Sequence, residues 1–365
     1  MEKTYLFSGE KILHGDGYPA LTKFIKGNPM EALVVFIPGA GHTARISYGG
    51  HENSRSEDFL SHWLVDQGYN FLGISYPIET RNPIFSEAYP HFNIRSWGKQ
   101  AAEIAKHIIE ENGLTKRIIF IVWSNGGRIT QSFNESAMNL GLEVNFCAAF
   151  SSTPPNMAVV KSPPVRFSPI SMAPSGYEDR TRSFQEWFHQ ISCNAYQNHE
   201  IIPKEIYYND YVGNMPINIQ GSGYRYENGS FVPDNGEFTE DSKNYDFANF
   251  PLIATIVTDN VVDGRHALTD YSLWGYYLIN KICSSYIENN KIDLTKLPPE
   301  NWKALLELVN SAPRQLTAST KGNHFFFVGE SGARKSARDI KYLELKVNSF
   351  KATLGKLIGV TDKLE

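Results

Sequence analysis

The chain has 365 residues, 41% of them hydrophobic and 20% charged, with a formal net charge of −4. That composition is ordinary for a folded globular protein, and the length allows one large domain or two average ones with a sizeable core. The weak negative charge leaves no electrostatic footprint for nucleic acid, and no apolar run reaches the roughly 18 residues needed to span a bilayer.

The first residues, "MEKTYLFSGEKILHGDGYP", contain neither a long apolar core nor a cleavage-type ending, so no signal peptide is expected and a cytoplasmic protein is the default. Cys147, Cys193 and Cys283 are odd in number and lie in no metal-ligand spacing. They read as buried thiols of a reducing compartment.

In chain order, "TYLFSG" and "LTKFIKG" read as short outer strands. "ALVVFIPGAG", from Ala32 to Gly41, is a continuous apolar run ending in a glycine-rich turn, which suits a strand buried on both faces. "SEDFLSHWLVDQGY" places Phe59, Leu60, Trp63 and Leu64 at helical spacing and stops at Gly68. A strand "YNFLGISYP", a helix "WGKQAAEIAKHIIEENG", a strand "RIIFIVWS", a helix "NGGRITQSFNESAMNLG" and a strand "NFCAAFSSTPP" follow. Such alternation implies a parallel sheet with helices on both faces.

The alternation pauses at Pro154. Residues 156–250 are rich in Pro, Gly, Asn and aromatics, with helical spacing in "RSFQEWFHQIS" and a hairpin in "GYRYENGSFV" turning at Asn228-Gly229. They read as an insertion, not as an independent domain. The alternation then resumes with a strand "FPLIATIVTDN" and helices "ALTDYSLWGYYLINKICSSYI" and "PENWKALLELVNS". In the last helix Ile340, Leu343, Val347, Phe350, Leu354 and Ile358 form one apolar stripe, expected to pack on the sheet. The nearby "GESGARKS", Gly329 to Ser336, nearly spells a phosphate-binding loop. Arg334 stands where that loop needs a glycine, so the start of the last helix is the better account.

The stretch "IFIVWSNGGRI" is the most informative. A serine at the end of a buried strand, followed by small residues and a helix, projects its hydroxyl from the carboxyl edge of the sheet. The helix N-terminus then offers N–H groups to a developing oxyanion. Trp123-Ser124-Asn125-Gly126-Gly127 resembles the nucleophile elbow of the α/β-hydrolase superfamily. One departure is Val122, two residues before the serine, where the family has a small residue. A strand that simply ends at Ser-Asn-Gly is the alternative.

The resemblance covers nearly the whole chain outside the insertion and implies the order serine, acid, histidine. Residues 1–155 and 251–365 would form the core of an α/β fold, a mostly parallel sheet flanked by helices, with 156–250 as a lid between the sixth and seventh core strands. His324, in "KGNHFFF" before the last helix, matches the family's histidine loop. His189 and His199 come too early, and His266 lies too close to the strand that should carry the acid. For the acid, "LIATIVTDNVVDG" offers Asp259 and Asp263. Asp259 is favoured from its place at the strand end, where Asp259-Asn260-Val261-Val262 resembles the family's turn. Asp263 could also reach, or could cap the next helix. The oxyanion donors implied are the N–H groups of Asn125 and Ala40. Pro38-Gly39-Ala40 replaces the family's usual His-Gly-x. Gly39 and Gly41 would let the backbone approach substrate, with His42 and Trp123 beside it.

The expectation is a serine esterase or thioesterase acting on a small or hydrophobic acyl substrate, through an acyl-enzyme and with no metal or organic cofactor. The insertion's aromatic residues, among them Phe184, Trp187, Phe188, Tyr207, Tyr208 and Tyr211, line an acyl pocket or form the lid's own core. An acidic stretch with Glu227, Asp234, Glu237, Glu240 and Asp241 disfavours a polyanionic substrate. Two other readings stay open: a non-catalytic ligand-binding scaffold, and an acyltransferase, cyclase or lyase using the same triad.

Overall fold

Apolar runs that have no polar face must be covered on both sides, and these runs set the centre of the molecule. The computed structural model describes residues 5–156, 171–196 and 199–360. One sheet holds eight strands: β1 (Glu10–Gly15), β2 (Tyr18–Ile25), β3 (Leu33–Ile37), β4 (Asn70–Ser75), β5 (Arg117–Trp123), β6 (Glu143–Phe150), β7 (Ile253–Thr258) and β8 (Thr317–Thr320). Their spatial order is β1-β2-β4-β3-β5-β6-β7-β8. The pairs β1–β2 and β2–β4 are antiparallel, and every other pair is parallel. All of β3 and β4 is buried, as is β5 beyond Arg117.

The helices include α1 (Leu60–Asp66), α2 (Ile94–Asn112), α3 (Thr130–Asn139), α4 (Thr181–Ser192), α5 (Tyr271–Lys281), α6 (Pro299–Gln315) and α7 (Glu330–Ile358). The six stripe residues of α7, from Ile340 to Ile358, are all buried in the main core. The "GESGARKS" stretch opens that helix. Its Arg334 guanidinium lies over the Trp63 ring, 4.1 Å from the centroid.

Three expectations need correction. The first strand is Glu10–Gly15 and not "TYLFSG". Asp16 and Gly17 adopt φ of 48° and 78°, which closes a tight hairpin between Gly15 and Tyr18 and draws the residues just before the turn into the sheet. Of the three thiols only Cys147 is buried, whereas Cys193 is exposed and Cys283 is intermediate. The helix expected after Ser124 opens with a 3₁₀ turn, Ser124–Ile129, before α3 begins.

The chain leaves the sheet at Phe150 and returns at Ile253. The described part of that excursion contains α4, and its hairpin turns at Asn228-Gly229 with φ of 48° and 82°. The first stretch of the expected insertion, 157–170, lies outside the described residues, as do 197 and 198. The excursion is stitched to the core: Glu79–Thr80 pairs with Gly213–Asn214, and His42 bridges to Val212. Phe184, Tyr207 and Tyr211 are buried, so these aromatics form core. No helix of the described residues is long and apolar enough to cross a membrane.

Candidate active site

The chain reverses sharply at the end of β5. Ser124 has φ of 52°, a left-handed conformation that is rare for a residue with a side chain. The turn brings the next helical turn against the ends of β3 and β6. A Cβ on Gly126 would meet the carbonyl oxygens of Ile37 and Pro38 at 3.0 Å. A Cβ on Gly127 would lie 2.2 Å from Ser152 Oγ and 2.4 Å from Thr153 O. Only glycine permits that approach at Gly127. The strained serine is held from behind, since its carbonyl accepts from Thr153 N (2.8 Å) and Ser152 Oγ (3.0 Å). Val122 is fully buried and pairs with Ala149 on β6, so its bulk faces a small neighbour across the sheet.

His324 sits between β8 and α7, and its Nδ1 is 2.8 Å from Oδ1 of Asp263. Asp263 is buried, and Thr258 Oγ1 donates to its other oxygen at 3.4 Å. Burial pushes the Asp263 carboxyl up. The hydrogen bond from His324 and the fields of His324 and His266 outweigh burial and hold it below the usual carboxylate value. Asp259, the acid favoured from its strand-end position, is not the partner. Its N–H extends the ladder to Thr320 O at 3.1 Å, while its side chain is exposed and joins no ion pair among the described residues. The correction has a local cause. Asn260 caps the 3₁₀ turn Val261–Asp263 by accepting from Val262 N (3.0 Å), and that turn swings Asp263 inward.

The loop after β3 lies beside the serine. A Cβ on Gly39 would come within 2.7 Å of Ser124 Cβ and 3.2 Å of Oγ. The buried Tyr76 hydroxyl clamps this loop, accepting from Gly41 N (2.7 Å) and donating to Gly39 O (3.1 Å). The Gly41 N–H is thereby spent. The N–H groups of Ala40 and Asn125 have no acceptor among the described residues, which leaves both free at the serine's edge.

His42 and Trp123 do not stand where a substrate would touch them. Both are about 1% exposed. His42 Nδ1 is 3.1 Å from Ala40 O and Nε2 is 2.8 Å from the Tyr207 hydroxyl. The neutral ring therefore donates to Ala40 O and accepts from Tyr207, and burial pushes its pKa down to about 3. Trp123 packs against the His324 ring at 5.1 Å, and its Nε1 donates to His324 O at 3.1 Å. Both are supports for the loops that carry Ala40 and His324.

No protein-family model matches the chain, and no curated protein matches its sequence. Solved structures do match in shape. A bromoperoxidase from Bacillus anthracis superposes on 92% of this chain and 99% of its own, with a TM-score of 0.52 at 12% identity. An esterase from Thermogutta terrifontis covers the same shares with a TM-score of 0.49 at 11% identity. An arylesterase covers 98% of this chain and 87% of its own, with a TM-score of 0.40 at 11% identity. The chain has the α/β-hydrolase fold.

Within this α/β-hydrolase fold, the structure adds residues that spacing did not reveal. His266 stacks on His324, with ring centroids 4.9 Å apart and planes at 15°. Its Nδ1 is 2.8 Å from Asp270 and its Nε2 is 3.1 Å from an Arg265 nitrogen. Asp263, His266 and His324 together offer ligand-type atoms within 4.8 Å of one another. The Arg265 guanidinium already occupies the cationic position at His266 Nε2, which disfavours a metal ion there. Asp263, Arg265, His266 and His324, with Glu186, Gln190 and Val262, line a cleft of about 280 Å³. Helix α4 closes one wall: Gln190 Oε1 accepts from His324 N (3.3 Å), and Gln190 O accepts from Asn323 Nδ2 (2.7 Å).

Proposed function

We propose that this protein is a serine hydrolase that cleaves an ester or thioester of a small or hydrophobic acyl group. The observation that carries this reading is the pairing of His324 with Asp263, tied through the Trp123–His324 contact to the strand end where the next residue, Ser124, is held at positive φ. In this reading, Asp263 holds the His324 Nδ1–H, which fixes the tautomer and leaves Nε2 as the base. Nε2 takes the Ser124 hydroxyl proton while Oγ bonds to the acyl carbon. The carbonyl oxygen becomes an oxyanion, stabilised by the Ala40 and Asn125 N–H groups. The bond to the leaving oxygen or sulfur then breaks, and His324 returns the proton to it. Water, deprotonated by the same histidine, cleaves the acyl-enzyme and restores Ser124.

The segment 156–250 acts as the cap. The contacts that support this role are those of α4 with the His324 loop and of Ile219 O with Asn125 Nδ2 (2.9 Å). The esterase and arylesterase similarities lie in fold alone and do not choose the acyl group.

The test is labelling with a fluorophosphonate probe, with the adduct located by mass spectrometry. Wild type should be labelled at Ser124, and Ser124→Ala and His324→Ala should not. An unlabelled wild type with native circular dichroism would remove the reading and favour a ligand-binding scaffold.

A further inference from the structure

Arg128 lies on the helical turn that follows Ser124, three residues after Asn125, and is only 3% exposed. Its Nε and Nη1 are buried and have no hydrogen-bond partner among the described residues. A guanidinium carries five donors and stays charged, so burying it without an anion is among the costliest arrangements a protein can hold. The carboxylate whose field reaches it, Asp270, lies within ion-pair distance of His266 (2.8 Å) and Arg265 (3.4 Å) and forms no ion pair with Arg128 among the described residues. Arg265 adds a second, opposing positive field. Burial pushes the Arg128 pKa down to about 10, which still leaves it charged at neutral pH.

The Phe238 ring centroid lies 5.6 Å from Arg128 Cζ, and polar groups stand around the rest of the contact. The strap of the excursion at Ile219–Ser222 crosses the same face of the turn. Ile219 O takes the Asn125 amide, and a Cβ on Gly221 would lie 3.0 Å from Arg128 Cζ. On either side of Gly221, Gln220 Oε1 and Ser222 Oγ are buried without partners among the described residues. The nearby acidic stretch does not neutralise Arg128. Glu227, Asp234 and Glu237 all pair with Arg225, and Asp241 lies 3.9 Å from Arg95.

We propose that Arg128, with the Ser222 hydroxyl, is a subsite for a carboxylate on the acyl part of the substrate, so that the preferred ester is a monoester of a dicarboxylic acid. This rests on the hydrolase reading above. The leaving group must sit by His324, which protonates it, and Arg128 follows the oxyanion donor Asn125 on the turn, which assigns it to the acyl side. One guanidinium balances one carboxylate. A phosphate dianion would leave net negative charge buried, so the carboxylate is the better match.

The test compares 4-nitrophenyl hydrogen adipate with the same chain ended in a carboxamide, by kcat/KM. Wild type should favour the acid about 10-fold or more, and Arg128→Gln should lower that ratio about 10- to 100-fold. Arg128→Lys, which keeps the charge but not the fork, should lower it less and serves if the glutamine variant does not fold. A wild-type ratio of one or below, or a ratio unmoved in a folded Arg128 variant, would overturn the subsite. Fluorophosphonate labelling in the same preparation separates the two failures. Labelling at Ser124 without a carboxylate preference removes the subsite alone, and no labelling removes the hydrolase reading beneath it.

Discussion

His324 reaches past the end of β7 to Asp263, 2.8 Å away, and not to Asp259, although Asp259 is the residue that directly follows the strand. The two aspartates are four positions apart and live in opposite environments, one buried and one exposed. In the proposed mechanism Asp263→Asn leaves the packing nearly intact but supports the wrong imidazole tautomer. The expected loss in kcat is about 10³- to 10⁴-fold. Asp259→Asn should stay within about twofold of wild type, because the side chain is exposed and joins no ion pair among the described residues. Steady-state hydrolysis of a 4-nitrophenyl ester by both variants checks this. Equal losses would return the orienting role to the strand end.

The strain at Ser124 should be measurable as stability. Its φ of 52° costs about 1–3 kcal/mol for a residue with a Cβ and little for glycine. Ser124→Ala keeps the Cβ and the strain, whereas Ser124→Gly releases it. Both variants should be inactive, and the glycine variant should be the more stable by about 1 kcal/mol in urea unfolding. Greater stability of the alanine variant would show that the turn is not strained.

Tyr76 ties the two ends of the Gly39–Gly41 turn through one hydroxyl. Tyr76→Phe leaves the Gly41 N–H and the Gly39 carbonyl unpaired in a buried place, at a cost of about 1–3 kcal/mol. Because Ala40 lies between them, kcat should fall while KM changes little, since the oxyanion donor acts most in the transition state. Loss of stability with unchanged kcat would confine Tyr76 to a structural part.

His42 should make the fold sensitive to acid. The folded ring stays neutral down to about pH 3, while the unfolded ring takes up a proton below its ordinary value of 6.5. Its contribution is therefore fully present above 6.5 and is lost as pH falls from there towards 3, at up to about 1.4 kcal/mol per pH unit. His42→Gln keeps a donor and an acceptor but cannot titrate, so its melting temperature should fall less steeply with acid. His51, which burial pushes down to about 4, titrates in the same window and keeps part of the slope. An unchanged slope in the variant would show that His42 is not the group being protonated.

Much of the fold was legible in the chain. Continuous apolar runs such as Leu33–Ile37 and Ile118–Trp123 can only be strands buried on both faces, and the stripe on α7 can only face a core. The turn at Ser124 was legible because Gly126 and Gly127 are there for a steric reason that any close strand-to-helix reversal imposes. The candidate histidine was legible too, because His324 stands alone in a loop just before the last helix.

Tertiary structure decided the rest. The choice between Asp259 and Asp263 turned on a single side-chain cap, Asn260 to Val262 N, which reverses the direction of the chain within one 3₁₀ turn. His42 and Trp123 neighbour the candidate site in sequence, yet their rings are buried by residues far along the chain, Tyr207 and Phe325 among them. Arg128 reads as a polar residue on a helix, and the distant Gly221 and Phe238 bury it as a cation with no ion pair among the described residues. Periodicity and backbone sterics act over a few residues and are written into the local sequence. Burial, tautomer and the pairing of charges are settled by whichever distant segments pack against a group, and only the folded chain brings those together.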